Sequence, residues 1–174
     1  MKIDLFYDGR FLKWNDKSLT FKATSGMSGH QMPGEQCIPD AGPVPEGEYK
    51  VFISDHGVAK DDGRGICAIK PSWGIQVIPR GRDAGVCEPY WANWGRNRAR
   101  MEPANEQTKR ACSPNIRGGF YLHDSTKGYS HGCIEVETKI FEYLRKYHSV
   151  SKKQYIILQV RYVAGRSTNG GTKV

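Results

Sequence analysis

Apolar and polar residues alternate through Lys2–Tyr7, the two-residue period of a strand with one buried face. Asp8-Gly9 follows, a dipeptide that favours a tight hairpin turn, and Phe11–Trp14 and Leu19–Ala23 read as the returning strands. Ser25 to Gly34 is small and polar and reads as loop. In Gly42-Pro43-Val44-Pro45-Glu46-Gly47 two prolines fix φ and lack N–H donors, so this turn lies outside any ladder. It leads into a strand at Tyr49–Ile53. Trp73–Pro79, Phe120–His123, Cys133–Val136 and Tyr155–Val163 are further strand candidates. Ile140, Phe141, Leu144 and Tyr147 recur at helical spacing and predict an amphipathic helix over Thr138–Tyr147. Arg80–Arg117 reads as a long insertion carrying Arg, Cys and Trp, with a short strand at Arg98–Met101. Loops of such length are uncommon unless functional. The pattern is mostly β with one clear helix.

Length changes this picture little: 174 residues suit one domain with a real core. We expect it over residues 1–164, with the Gly/Ser/Thr-rich residues 165–174 as a flexible tail. The absence of any apolar run near 20 residues excludes a membrane span. Asp4 and Asp8 interrupt the apolar stretch a signal peptide needs, so the first residues read as mature protein. A net charge of +8 invites a nucleic-acid partner, but Asp83, Glu88, Glu102 and Glu106 dilute the densest basic stretch. A solvated basic face, or attraction to an anionic polymer such as a cell wall, suits the scatter better than nucleic acid.

The chemistry concentrates between Gly118 and Val136. His123 ends one strand, a Gly-containing loop follows, and Gly132-Cys133 opens the next strand. A thiolate nucleophile needs a base within hydrogen-bond reach and a third group to orient that base. Two neighbouring strands could hold Cys133 and His123 in that relation. Gly132 lets backbone approach closely, and the N–H groups of Gly132 and Cys133 could hold an oxyanion. Alone, a cysteine such as Cys133 is more often a buried small hydrophobe or half of a disulfide, and His131 reads as a surface residue. His123, His131 and Cys133 could also bind zinc, but no fourth ligand is evident nearby.

Ser130-His131-Gly132-Cys133-Ile134 with the upstream His123 resembles the signature of L,D-transpeptidase catalytic domains. Gly42 to Gly47, Trp94-Gly95 with Arg98, Met101 and Pro103, and Gly119-Phe120-Tyr121-Leu122-His123 are similar to the shorter branch used as type VI secretion effectors. The resemblance implies an L,D-transpeptidase-like β-sandwich with one or two short helices and the long Arg/Trp-containing insertion. It implies a peptidoglycan-modifying cysteine enzyme needing neither cofactor nor metal, with Cys133 as nucleophile and His123 as base. His131, Ser130 and Gly132 would complete the catalytic loop. Trp94, Arg98, Arg117, Tyr121 and Asp124 would bind the substrate. Implied activities are L,D-carboxypeptidase, D-amino-acid exchange and cross-linking, with a non-catalytic wall-binding module as the alternative. Implied partners are peptidoglycan stem peptides, a cognate immunity protein and a secretion-machine component. The implied route is secretion without a signal peptide into a target bacterium's periplasm. Two departures stand out: many relatives carry Arg where Glu135 stands, and Gly where Asp124 stands. Arg98 or Arg117 could supply the missing positive charge.

Five cysteines are an odd number. With Cys133 as nucleophile, Cys37, Cys67, Cys87 and Cys112 allow three pairings. We expect Cys87–Cys112 to staple the long insertion and Cys37–Cys67 to pair. All four reduced is what a cytosolic protein would show.

Overall fold

The computed structural model describes all residues, Met1–Val174. Ten strands form one ladder in the order β4-β10-β1-β2-β3-β9-β8-β7-β6-β5. They are β1 (Leu5–Tyr7), β2 (Phe11–Trp14), β3 (Leu19–Ser25), β4 (Gly47–Phe52), β5 (Asp55–Val58), β6 (Ile75–Val77), β7 (Asn97–Pro103), β8 (Phe120–His123), β9 (Ile134–Val136) and β10 (Tyr155–Val160). β4 also pairs antiparallel with β7, Val51 opposite Met101. That pairing closes eight strands, β4 to β7, into a barrel, with β6 and β5 continuing outward from β7. The molecule is mostly β with few short helices, as the pattern predicts. The strand order is that of a closed barrel and does not divide into the two sheets of a sandwich.

Alternation selects the interior. Leu12 and Trp14 of β2 are buried while Phe11 and Lys13 point outward. One apolar cluster of 24 buried residues, Leu5, Trp14, Tyr49, Met101, Leu122 and Ile134 among them, fills the barrel and reaches α3 (Ile140–Ser151). α3 buries Ile140, Phe141 and Leu144, and its Tyr147 ring meets Trp14 edge-on at 5.2 Å. No helix is long and apolar enough to cross a membrane.

Three expectations need correction. First, Arg80–Arg117 is not an insertion. Its centre is β7, a full barrel strand paired with β8, β6 and β4. Only the flanks are irregular, with α1 (Glu88–Trp91) before β7 and α2 (Glu106–Lys109) after it. Second, the disulfides are Cys37–Cys112 and Cys67–Cys87, not the expected pairs. β7, seven residues at about 3.3 Å each, separates Cys87 from Cys112 along the chain. Cys87 therefore packs in a second cluster with Ala59, Ile69, Ile78, Ala84 and Trp91, while Cys112 joins the loop that holds Cys37. Third, residues 165–174 are docked. Thr168 is fully buried: its carbonyl accepts from Ser25 N (3.0 Å) and its hydroxyl donates to Ser25 O (2.6 Å). Gly170 N donates to Thr24 Oγ1 at 2.9 Å. Composition alone misread a segment that satisfies the end of β3.

Candidate active site

β8 and β9 run parallel, with Leu122 opposite Ile134 and His123 opposite Glu135. Side chains two apart share a face, so His123 and Cys133 lie diagonally on the same side of neighbouring strands. Both line a cleft of about 550 Å³ with Trp94, Arg98, Arg117 and Lys127. His123 is buried and Cys133, the sole free cysteine, is partly exposed. Their side chains do not bond each other directly. Cys133 Sγ accepts from Tyr121 N–H at 3.3 Å, and His123 Nδ1 lies 3.1 Å from Ser125 Oγ.

Parallel strands usually need a crossover of a dozen residues or more. Here residues 124–133 make the connection, and two buried carboxylates shape it. Asp124 Oδ1 accepts from Arg96 N (2.7 Å) and Asn97 N (2.8 Å), and its Oδ2 from Thr138 Oγ1 (2.6 Å). Glu135 Oε1 accepts from Gly128 N (2.7 Å) and Thr172 Oγ1 (2.5 Å). Its Oε2 accepts from Lys127 N (3.1 Å) and from Ser125 Oγ. Ser130 Oγ closes the loop, donating to Cys133 O (2.5 Å) and accepting from Gly26 N (3.1 Å). Gly132 has φ +122°, a conformation that side-chain-bearing residues rarely adopt, and a Cβ there would displace the Arg117 Nη2 atom, 2.3 Å away. Its N–H faces Ser130 Oγ at 3.3 Å, so one of the two expected oxyanion donors is already engaged.

Burial dominates the electrostatics. It pushes the His123 imidazole down to about 3, helped by the Lys127 cation and opposed by Asp124. Burial also pushes the Cys133 thiol up to about 11, against the pull of the Tyr121 N–H and of Arg98, Arg100 and Arg117. The resting pair is therefore neutral thiol and neutral imidazole. A proton can pass from sulfur to ring only as the sulfur gains a new bond, not as a standing ion pair.

The other expected residues divide. Trp94 lines the cleft and stands edge-on to the His123 ring at 5.5 Å. His131 lines it too, its Nδ1 3.1 Å from Asp40 O. Arg98 is buried, its guanidinium 4.5 Å from the Trp94 ring and 4.0 Å from Tyr121, with Nε donating to Gln76 Oε1 at 2.7 Å. Arg117 gives Nη1 to Gln36 O (2.6 Å) and Pro43 O (2.7 Å) and Nη2 to His131 O (3.5 Å), tying the proline turn to the loop between β8 and β9. Both arginines face the cleft already holding protein partners. Tyr121 and Asp124 do not line it. Tyr121 is buried and accepts from Arg100 Nη1 at 3.0 Å, and Asp124 is spent on the loop. The ligand atoms of His123, His131 and Cys133 do not converge at metal-binding distance. Asp61, Cys67 and Cys87 do come together, but both cysteines are in the disulfide.

Sequence reasoning missed Lys127, Ser125 and the use made of Glu135. Lys127 Nζ faces the cleft with Asn93 Oδ1 as its hydrogen-bond partner, 3.0 Å away. It is the cation of the cleft least committed to the protein. Its one sequence signal is position, inside the loop between the histidine and the cysteine. No protein-family model matches this chain, and no curated protein matches it.

Proposed function

We propose that the chain is a peptidoglycan-modifying cysteine enzyme that cleaves tetrapeptide stems between diaminopimelate and D-alanine. The observation that carries this reading is the pairing of a single free thiol, Cys133, with a buried neutral imidazole, His123, on one face of adjacent strands in a cationic cleft. Cys133 Sγ attacks the carbonyl at the L-centre of diaminopimelate and forms a thioester. The C–N bond to D-alanine breaks, and His123 carries the thiol proton to the leaving amine. Water then hydrolyses the thioester, giving L,D-carboxypeptidase action. A free D-amino acid as acceptor gives exchange, and an amine of a second stem gives a cross-link. Lys127 offers a charge for the stem's carboxylate. The further reading, from resemblance, is an antibacterial type VI secretion effector acting in a target cell's periplasm, on an L,D-transpeptidase-like domain, with a cognate immunity protein that covers the cleft.

Mass spectrometry of purified sacculi tests the reaction. Incubation with the chain should convert tetrapeptides to tripeptides or D-amino-acid-exchanged forms, and Cys133→Ala should abolish the change. An unaltered muropeptide profile with folded protein and a free Cys133 would sink the reading and leave a wall-binding module.

A further inference from the structure

We infer that Ser125 and Glu135 form a relay that fixes the His123 tautomer, leaving Nε2 bare to act as base. The inference rests on His123 serving as the base proposed above. Glu135 is completely buried, and its four partners are the Lys127 and Gly128 N–H groups and the Ser125 and Thr172 hydroxyls. Two amides and two hydroxyls give each Glu135 oxygen two donors, the set that suits an ionised carboxylate. The Ser125 hydroxyl has one hydrogen, and it goes to Glu135 Oε2. Ser125 Oγ also lies 3.1 Å from His123 Nδ1. Having no second hydrogen to give, Oγ must accept there, and Nδ1 must carry the proton. In a neutral imidazole the other nitrogen is then unprotonated.

This arrangement accounts for an otherwise costly feature. A carboxylate in the interior is unfavourable unless several donors compensate it. Here its four donors come from the loop between the two strands and from residue 172. The same carboxylate therefore sets both the loop's path and the direction of the Ser125 hydroxyl. When His123 becomes imidazolium, its Nδ1–H points through Ser125 toward a fixed negative charge. Ser125 and Glu135 touch no substrate; they are positioning residues.

Long-range ¹H–¹⁵N correlation spectra of the uniformly ¹⁵N-labelled full chain at neutral pH read the tautomer directly. The His123 signals are identified by their loss in His123→Gln. Wild type should show a protonated Nδ1 and a bare Nε2. Ser125→Ala should mix the tautomers and lower kcat on tetrapeptide stems about 10-fold or more with KM little changed, since an oriented base is worth roughly 10²–10⁴-fold. Ser125→Thr, which keeps the hydroxyl, should restore both. The Trp94 carbonyl also lies within hydrogen-bond reach of the His123 ring, and a wild-type Nε2–H tautomer would overturn the relay. So would a Ser125→Ala chain with unchanged tautomer and kcat. If wild type leaves stems untouched, the spectrum still decides the tautomer, and only the peptidoglycan reading fails.

Discussion

The barrel and the elements packed on it, α3 among them, bury 24 apolar side chains in one cluster that contains no cysteine. The cluster beneath the outer wall of the cleft buries six, and Cys67–Cys87 fastens it. The difference follows from what each region can remove from water. The barrel seals Trp14, Tyr7, Tyr49 and Phe141 almost completely, and burying side chains of that size contributes about 2–3 kcal/mol each. The smaller cluster offers Ile69, Ile78, Trp91 and two alanines, and nearby Ile66 and Tyr90 stay exposed. A region that must leave a cleft open cannot also bury enough surface to hold itself, and a covalent tie takes over part of that task. His123 lies at the seam, walled by Trp94, which packs against the smaller cluster.

Breaking the barrel core should have the largest effect. Trp14→Ala removes a fully buried ring and should cost about 3–5 kcal/mol, read as a cooperative loss across the whole denaturant transition. Breaking the tie of the smaller cluster should cost less and act locally. The Cys67–Cys87 bridge spans 20 residues of sequence, which corresponds to roughly 3 kcal/mol in the chain-entropy picture. Cys67→Ala/Cys87→Ala should speed amide exchange over residues 59–91 while β1–β3 keep their protection. Equal loss of protection in both regions would erase the distinction between them. The third test concerns the seam. Folded His123 stays neutral down to about 3, whereas an unfolded histidine takes its proton near 6.5. Between those values the unfolded chain binds more protons, so stability should fall as pH falls from about 6.5 toward 3. Denaturant titrations across that range should show the slope, and His123→Gln should flatten it.

Much of this was legible in the residues, and the failures have physical causes. Phe120–His123 emerged as a strand with the expected bounds because its neighbours are polar and glycine-rich. The helix was found from Ile140, Phe141 and Leu144, the three residues it buries. β5 was missed because Asp-His-Gly-Val is exposed at every position, and an edge strand of that kind has no alternation to read. The disulfides were misassigned because Arg80–Arg117 was read as one insertion to be stapled, whereas β7 runs through it and carries the chain away between Cys87 and Cys112. Cys133 and His123 were visible as a pair. The role of Ser125 and the burial of Glu135 were not, because both depend on hydrogen bonds that bring residues 125, 135 and 172 together.

β10 lies between β1 and β4, and that placement has a consequence in time. On a ribosome the chain emerges from its amino end at about 5–20 residues per second. β1 and β2 can pair as soon as they appear, but β1 waits for its parallel neighbour until residues 155–160 have been made. Thr172, whose hydroxyl holds Glu135, arrives later still. A nascent chain therefore carries both Cys133 and His123 for several seconds before the site around them can be finished.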